Sequence, residues 1–254
     1  MEEHLFEDRE FRVVDTHAHL DEFQDLKGVV ERAKKAGVVG VVAVSVHRSS
    51  SVKSLEFSRV YDGYVFPAIG IHPWEVEEAK EDDIAFIEKN ADRCVAVGEI
   101  GLDYWIKTDK EKQRRVFEKL VEIAVKKNKP SSIHSRGAWE EAYKYVEEIE
   151  AKKALFHWYS GPLEILKKIL DRGYYVSASP ASEYSKKHRE ALQQTPLENL
   201  VLETDCPVKY KGAVSEPADV LKTLRYVSEL KKVNERALAE KTTDNAVKLF
   251  GFNI

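Results

Sequence analysis

Short β-rich runs alternate with longer helical stretches along this whole chain, and that alternation admits few folds. The runs 11–15, 38–45, 64–69, 94–97, 131–134, 154–157, 174–177 and 200–202 give eight candidate strands. Between them lie amphipathic stretches. Val116, Leu120 and Ile123 recur at three- and four-residue steps, and Leu163, Leu166, Ile169 and Leu170 form a second apolar stripe. Such periods mark helices that bury one face. Strand–helix alternation throughout predicts a parallel sheet. Eight units in 254 residues fit a closed barrel. The competing architecture is a doubly wound open sheet, whose glycine-rich GxGxxG turn does not follow the first strand. The expectation is α/β: a (β/α)8 barrel of the TIM type, one domain over 1–254. The segment from Pro217 to Phe250 reads as two helices that close it.

Composition narrows the function. The net charge of −4 argues against a surface built for indiscriminate nucleic-acid binding, so a phosphate substrate must be held by a few local groups. Cys94 and Cys206 form no CxxC pair, which excludes a thiolate zinc knuckle. The stretch from Met1 to Arg12 is acidic and mixed, without a signal-peptide core. No apolar run approaches the ~20 residues of a membrane helix. A soluble, cytoplasmic protein is expected, with no membrane partner.

The chemistry-bearing residues cluster at one level. Of eight histidines, His17, His19, His47, His72, His134 and His157 fall at or just beyond the C-terminal ends of the expected strands, whereas His4 and His188 do not. Catalytic groups of such barrels sit at that end. In Asp15-Thr16-His17-Ala18-His19, alternate residues of an extended segment point the same way, so both imidazoles can aim at one ion. Glu99 stands between Gly98 and Gly101 in an apolar run, where an unpaired carboxylate would be costly; metal coordination removes that cost, and a Glu can bridge two ions. His134 and His157 each follow a short buried strand, and Asp205 follows the eighth. An Asp there can ligate a metal and accept a proton from attacking water. Cys206 reads as a small buried apolar residue.

With these segments in view, the chain resembles the TatD family of metal-dependent deoxyribonucleases, within the wider amidohydrolase-like barrels. The likeness rests on Asp15-Thr16-His17-Ala18-His19-Leu20, Gly70-Ile71-His72-Pro73, Gly98-Glu99-Ile100-Gly101-Leu102-Asp103, Ile133-His134-Ser135-Arg136, His157-Trp158-Tyr159-Ser160-Gly161 and Glu203-Thr204-Asp205-Cys206-Pro207. It runs nearly end to end and in family order. The resemblance implies that His17, His19 and Asp205 hold one divalent ion, that His134 and His157 hold a second, and that Glu99 bridges both. Mg, Mn or Zn would suit so mixed a donor set. The chain departs from the family at Trp158-Tyr159, where Cys-Phe is usual, at Val46-His47-Arg48, and in the basic Lys127-Asn128-Lys129.

The reaction expected from this set is hydrolysis of DNA phosphodiester bonds by metal-activated water, from a strand end, with Asp205 and Glu99 as the catalytic carboxylates. His72 and Arg136 are candidates to hold phosphate, since a guanidinium offers a planar fork of donors. Tyr104, Trp105, Trp158 and Tyr159 follow two of the ligand strands and are candidates to stack on bases or to pack the rim. Lys107, Lys209 and Lys211 lie in mouth loops. The same metal site would serve a carbonyl substrate, such as an amide, a lactone or an aminoacyl-tRNA ester, because fold and metal do not fix the substrate. A non-catalytic nucleic-acid-binding module is the third reading.

Overall fold

The computed structural model describes residues 11–254. His4 and nearly all of the acidic N-terminal stretch lie outside the described residues. The strands β1 (Val13–Ala18), β2 (Val38–Val44), β3 (Val65–Ile69), β4 (Ala96–Gly101), β5 (Ser131–His134), β6 (Ala154–Phe156), β7 (Tyr175–Ala178) and β8 (Leu200–Leu202) pair in parallel in chain order. Helices α1 (Leu26–Ala36), α2 (Arg48–Val60), α3 (Glu81–Asn90), α4 (Lys110–Lys126), α5 (Trp139–Glu148), α6 (Leu163–Asp171) and α7 (Lys186–Gln194) connect them. A two-stranded hairpin, β9 (Lys209–Tyr210) with β10 (Ala213–Val214), follows β8, and α8 (Val220–Lys231) and α9 (Glu235–Phe250) end the chain as expected.

Alternation along each strand divides the core in two. Val14, Val42, Ala68, Ala96, Leu155 and Val201 belong to one cluster, which Ala246, Leu249 and Phe250 of α9 and the following Phe252 enter. The intervening residues, such as Val13, Val41, Leu200 and Leu202, belong to the larger layer between strands and helices. Phe252 stacks on Phe66 near the start of β3, with ring centroids 4.0 Å apart. The C-terminal segment therefore plugs the end of the barrel where strands begin, and the end where strands finish is left for the site.

The seam between β1 and β8 is closed by specific bonds rather than by a regular ladder. The Thr16 hydroxyl donates to the Leu202 carbonyl at 2.9 Å, and the Asp15 carboxylate accepts from the Thr204 amide at 2.9 Å and the Thr204 hydroxyl at 2.6 Å. Beyond them, the Asp205 amide donates to the His17 carbonyl and the His19 amide to the Cys206 carbonyl. Two segments 186 residues apart in sequence thus lock the first and last strands in register at the site.

Two strands run further than the apolar pattern suggests. β1 continues through His17, and β4 continues through Glu99 to Gly101. Each carries a ladder irregularity: Asp15 to Ala18 faces only Val41 to Ala43, and Val97 to Ile100 faces only Ser131 to Ile133. Such bulges re-aim side chains and are frequent beside active sites. Gly101, at φ +154°, allows the backbone to pass against His134, where any side chain would collide with the His134 carbonyl.

His188 shows what a structural histidine looks like in this fold. It is fully buried; its Nδ1–H donates to the Tyr159 carbonyl at 2.7 Å, and its Nε2 accepts from the Ser179 amide at 3.2 Å. The neutral ring is satisfied on both sides and ties the loop after β6 to the loop after β7. Burial lowers its pKa from 6.5 to about 4. Between those values the unfolded chain takes up a proton that the folded chain refuses, so stability is complete above pH 6.5 and is lost as the pH falls towards 4. Between pH 7 and pH 5, urea unfolding of the wild type should lose about 2 kcal/mol relative to His188→Gln. Parallel pH profiles for the two proteins would assign the acid sensitivity elsewhere.

Candidate metal centre

At the ends of the strands, one carboxylate is surrounded by imidazoles. Glu99 is 2% exposed, and its two oxygens face different partners. Oε2 lies 3.2 Å from His17 Nε2 and 3.5 Å from His19 Nε2. Oε1 lies 2.9 Å from His157 Nε2, 3.0 Å from His134 Nδ1 and 3.3 Å from His72 Nε2. Asp205 Oδ1 completes the first group, 3.3 Å from His19 Nε2 and 3.5 Å from His17 Nε2. The residues that sequence spacing singled out, from β1, β4 and β5 and from the segments after β6 and β8, therefore meet at one point. His72, expected to touch phosphate, belongs to the centre itself.

Hydrogen bonds alone do not account for this cluster. Three ring nitrogens converge on Oε1, which has two lone pairs. His134 Nδ1 and His157 Nε2 lie 3.3 Å apart, so at least one must be unprotonated. Glu99 groups with His17 and His19 on one side and with His72 and His134 on the other, with ligand atoms close enough to share an ion. Buried imidazole nitrogens mixed with carboxylate oxygens suit a divalent transition metal, and the carboxylates admit Mg or Mn. The residues fit a metal centre.

Electrostatics agree. Burial opposes charge on Glu99, but the surrounding His72, His157 and His17 hold its pKa well below the ordinary value. Burial likewise opposes charge on His19, yet its hydrogen bond to Asp205 and the charge of Glu99 carry it up to about 9. His157 is raised against burial by Glu99 and Glu203. For His72 burial wins, and its pKa falls to about 4.

Two carboxylates that the strand pattern did not single out stand behind these imidazoles. Asp103, fully buried, lies 3.1 Å from His134 Nε2, accepts from the Trp74 indole N–H at 2.8 Å, and receives Arg136 through Nη2 at 2.7 Å and Nε at 3.0 Å. Its own backbone is clamped in both directions by the Gln113 side-chain amide. Glu203 Oε1 lies 3.4 Å from His157 Nδ1. Such anionic backing orients a ligating imidazole and raises its basicity. Glu203 and Asp103 both stand inside motifs quoted above, but nothing in a motif tells which way a carboxylate points.

A cavity of about 750 Å³ opens over the centre. Of the four aromatic candidates, Trp105 and Trp158 line it. Tyr104 does not; it lies in the outer layer, with Lys110 4.5 Å above its ring. Tyr159 is buried and donates to the Pro162 carbonyl. Arg136 lines the cavity while paired to Asp103, its side chain 38% exposed. His47 caps α2 by accepting the Ser50 amide at 3.1 Å, and so has a structural task. Cys206 is buried at the β1 seam. Lys211 pairs with Glu183 at 2.6 Å, whereas Lys187, absent from the sequence expectations, lines the cavity. Trp74 and Tyr184 were missed as well; Trp74 directly follows the Gly70-Ile71-His72-Pro73 motif, which could have pointed to it, whereas nothing in the sequence marks Tyr184.

Asp103 and Glu99 together raise the pKa of His134 against its burial. In metal-free Asp103→Asn protein, loss of the anionic partner should lower the His134 pKa, read from its ring-proton shifts across a pH titration. An unchanged value would deny Asp103 that influence.

Comparison with known proteins agrees with this geometry. Residues 14–251 match the model of the TatD related DNase family. The chain is 34% identical to YabD of Bacillus subtilis, described as an uncharacterized metal-dependent hydrolase, over 94% of this chain and 99% of that protein. It is 33% identical to the human deoxyribonuclease TATDN3, over 94% of each. The crystal structure of YJJV, a TatD homolog from Escherichia coli, superposes with a TM-score of 0.90 over 95% of this chain and 99% of that one at 24% identity, which shows a shared fold. With the family model matched across the barrel, this chain belongs to the TatD-related DNase family of metal-dependent hydrolases.

Proposed function

We propose that this enzyme hydrolyses DNA phosphodiester bonds, one nucleotide at a time from an end, at a centre of two divalent ions. His17, His19 and Asp205 would hold one ion with Glu99 Oε2, and His134 and His157 the other with Glu99 Oε1. Mg, Mn or Zn are compatible with that donor set. The observation that carries the reading is the division of labour at Glu99, whose two oxygens each face a separate set of ligands. Bound there, the ions would place positive charge against the phosphoryl oxygens and make water reactive near neutrality.

The chain's own groups do the rest. Asp205 is nearly buried, lies beside both His17 and His19, and lines the cavity; it orients the attacking water and takes its proton. Arg136 is held in place by Asp103 through Nε and Nη2, while Nη1 has no protein acceptor among the described residues and can bind a phosphate oxygen. His72, beside Glu99 and with its ring kept neutral by burial, is a further ligand or a donor to phosphate. The chain acts as a single domain in the cytoplasm. Its two free cysteines, Cys94 and Cys206, suit that reducing compartment, and no helix among the described residues is long and apolar enough to cross a membrane.

The test is hydrolysis of a labelled oligonucleotide across a divalent-metal screen, run beside amide, lactone and ester panels. DNA turnover supports the proposal; robust ester turnover with DNA untouched would transfer the same centre to a carbonyl substrate. Glu99→Gln should bind less metal by elemental analysis and lose activity by roughly 100-fold or more, since even supporting groups around a metal are worth 10–100-fold. Its circular dichroism should match that of the wild type. Full metal content and activity in that variant would remove the bridging role.

A further inference from the structure

All four tryptophans of the chain, Trp74, Trp105, Trp139 and Trp158, line the cavity over the metal centre. Several of its aromatic side chains are strongly exposed: Trp105 65%, Trp74 54% and Tyr184 48%. So much exposed aromatic surface at one place marks a binding surface rather than packing.

The aromatic groups fall into two sets. The first comes from the loops after β3 and β4. Trp74 and Trp105 both lie against Arg136, whose guanidinium carbon is 5.6 Å from each ring centroid. The second comes from the loops after β6, β7 and β8. Trp158 and Tyr184 both pack on Tyr210, at 5.7 and 6.3 Å between centroids. Among the described residues no ring contact joins the two sets. Trp139 is edge-on to Trp105 and packs over Gly161. The strand order places the loops after β4 and β7 three positions apart around an eight-stranded barrel, so the sets face the centre from different sides. Each has its own cation on the cavity wall, Arg136 in the first and Lys187 in the second.

Resting on the nuclease reading above, we propose that the cavity holds the two bases flanking the cleaved phosphodiester in two separate aromatic subsites. Arg136 attracts the phosphate between the two bases, and Lys187 adds positive charge on the side of the second set. Stacking on an indole or phenol face tolerates any base and requires that base to be unpaired. The smallest efficient substrate is then a dinucleotide with both bases present, and each subsite recognises one of them.

Trp105 and Tyr184 are the most exposed members of their sets, so replacing them leaves the core intact. The experiment measures kcat/KM of the metal-loaded enzyme on a thymidine dinucleotide and on two analogues, lacking the 5′ base or the 3′ base. In the wild type, removal of either base should cost about ten-fold, the scale of one stacking contact. Trp105→Ala should abolish the penalty for one base only, and Tyr184→Ala the penalty for the other. If both variants erase the same penalty, if neither erases one, or if the wild type ignores base removal while cleaving a longer oligonucleotide, the two subsites are overturned alone. If the wild type cleaves no oligonucleotide with any divalent metal, the nuclease reading falls and the subsites fall with it.

Discussion

A carboxylate cannot lie unpartnered in an apolar barrel, and the way Glu99 is partnered organises this protein. Transfer of an isolated carboxylate from water to such an interior costs many kcal/mol unless opposite charge accompanies it. Here five imidazoles surround it, two on one oxygen and three on the other. Part of the balance comes from protons, since the proton affinities of His19, His134 and His157 are raised against their burial. Divalent cations compensate the same charge more completely, and taking them up displaces those protons.

The fold is built to deliver that arrangement. Irregular pairing in β1 and β4 re-aims His17 and Glu99 where a regular ladder would alternate past the centre. The Asp15–Thr204 and Thr16–Leu202 bonds close the seam that sets Asp205 against His17 and His19. At the opposite end, Phe250 and Phe252 fill the interior, so that the space left open lies over the metal centre. From there, Asp103 joins His134 to the cavity rim through Trp74 and Arg136.

The barrel was legible because parallel strands buried on both faces read as short apolar runs, and their order in sequence became their order in the sheet. The six residues read as candidate ligands stood out in the sequence because each lies at or just beyond the C-terminal end of such a run, and the structure brings them together. The strand ends of β1 and β4 were not, since His17 and Glu99 break the apolar pattern while the backbone continues as strand. The rim was read least well. Tyr104 and Trp105 are adjacent, yet one is packed in the outer layer and the other faces the cavity, a choice made by a loop with no periodicity to read. That His72 reaches Glu99 was not legible, because the turn after β3 carries no signal of how far it folds back over the centre.

Anomalous diffraction from crystals soaked in a manganese or zinc salt tests the central claim most directly. The account predicts two peaks, one beside Glu99 Oε2 within reach of His17, His19 and Asp205, the other beside Oε1 within reach of His134 and His157. Density for a metal that leaves Glu99 uncoordinated, or that lies outside this ring of side chains, would contradict it.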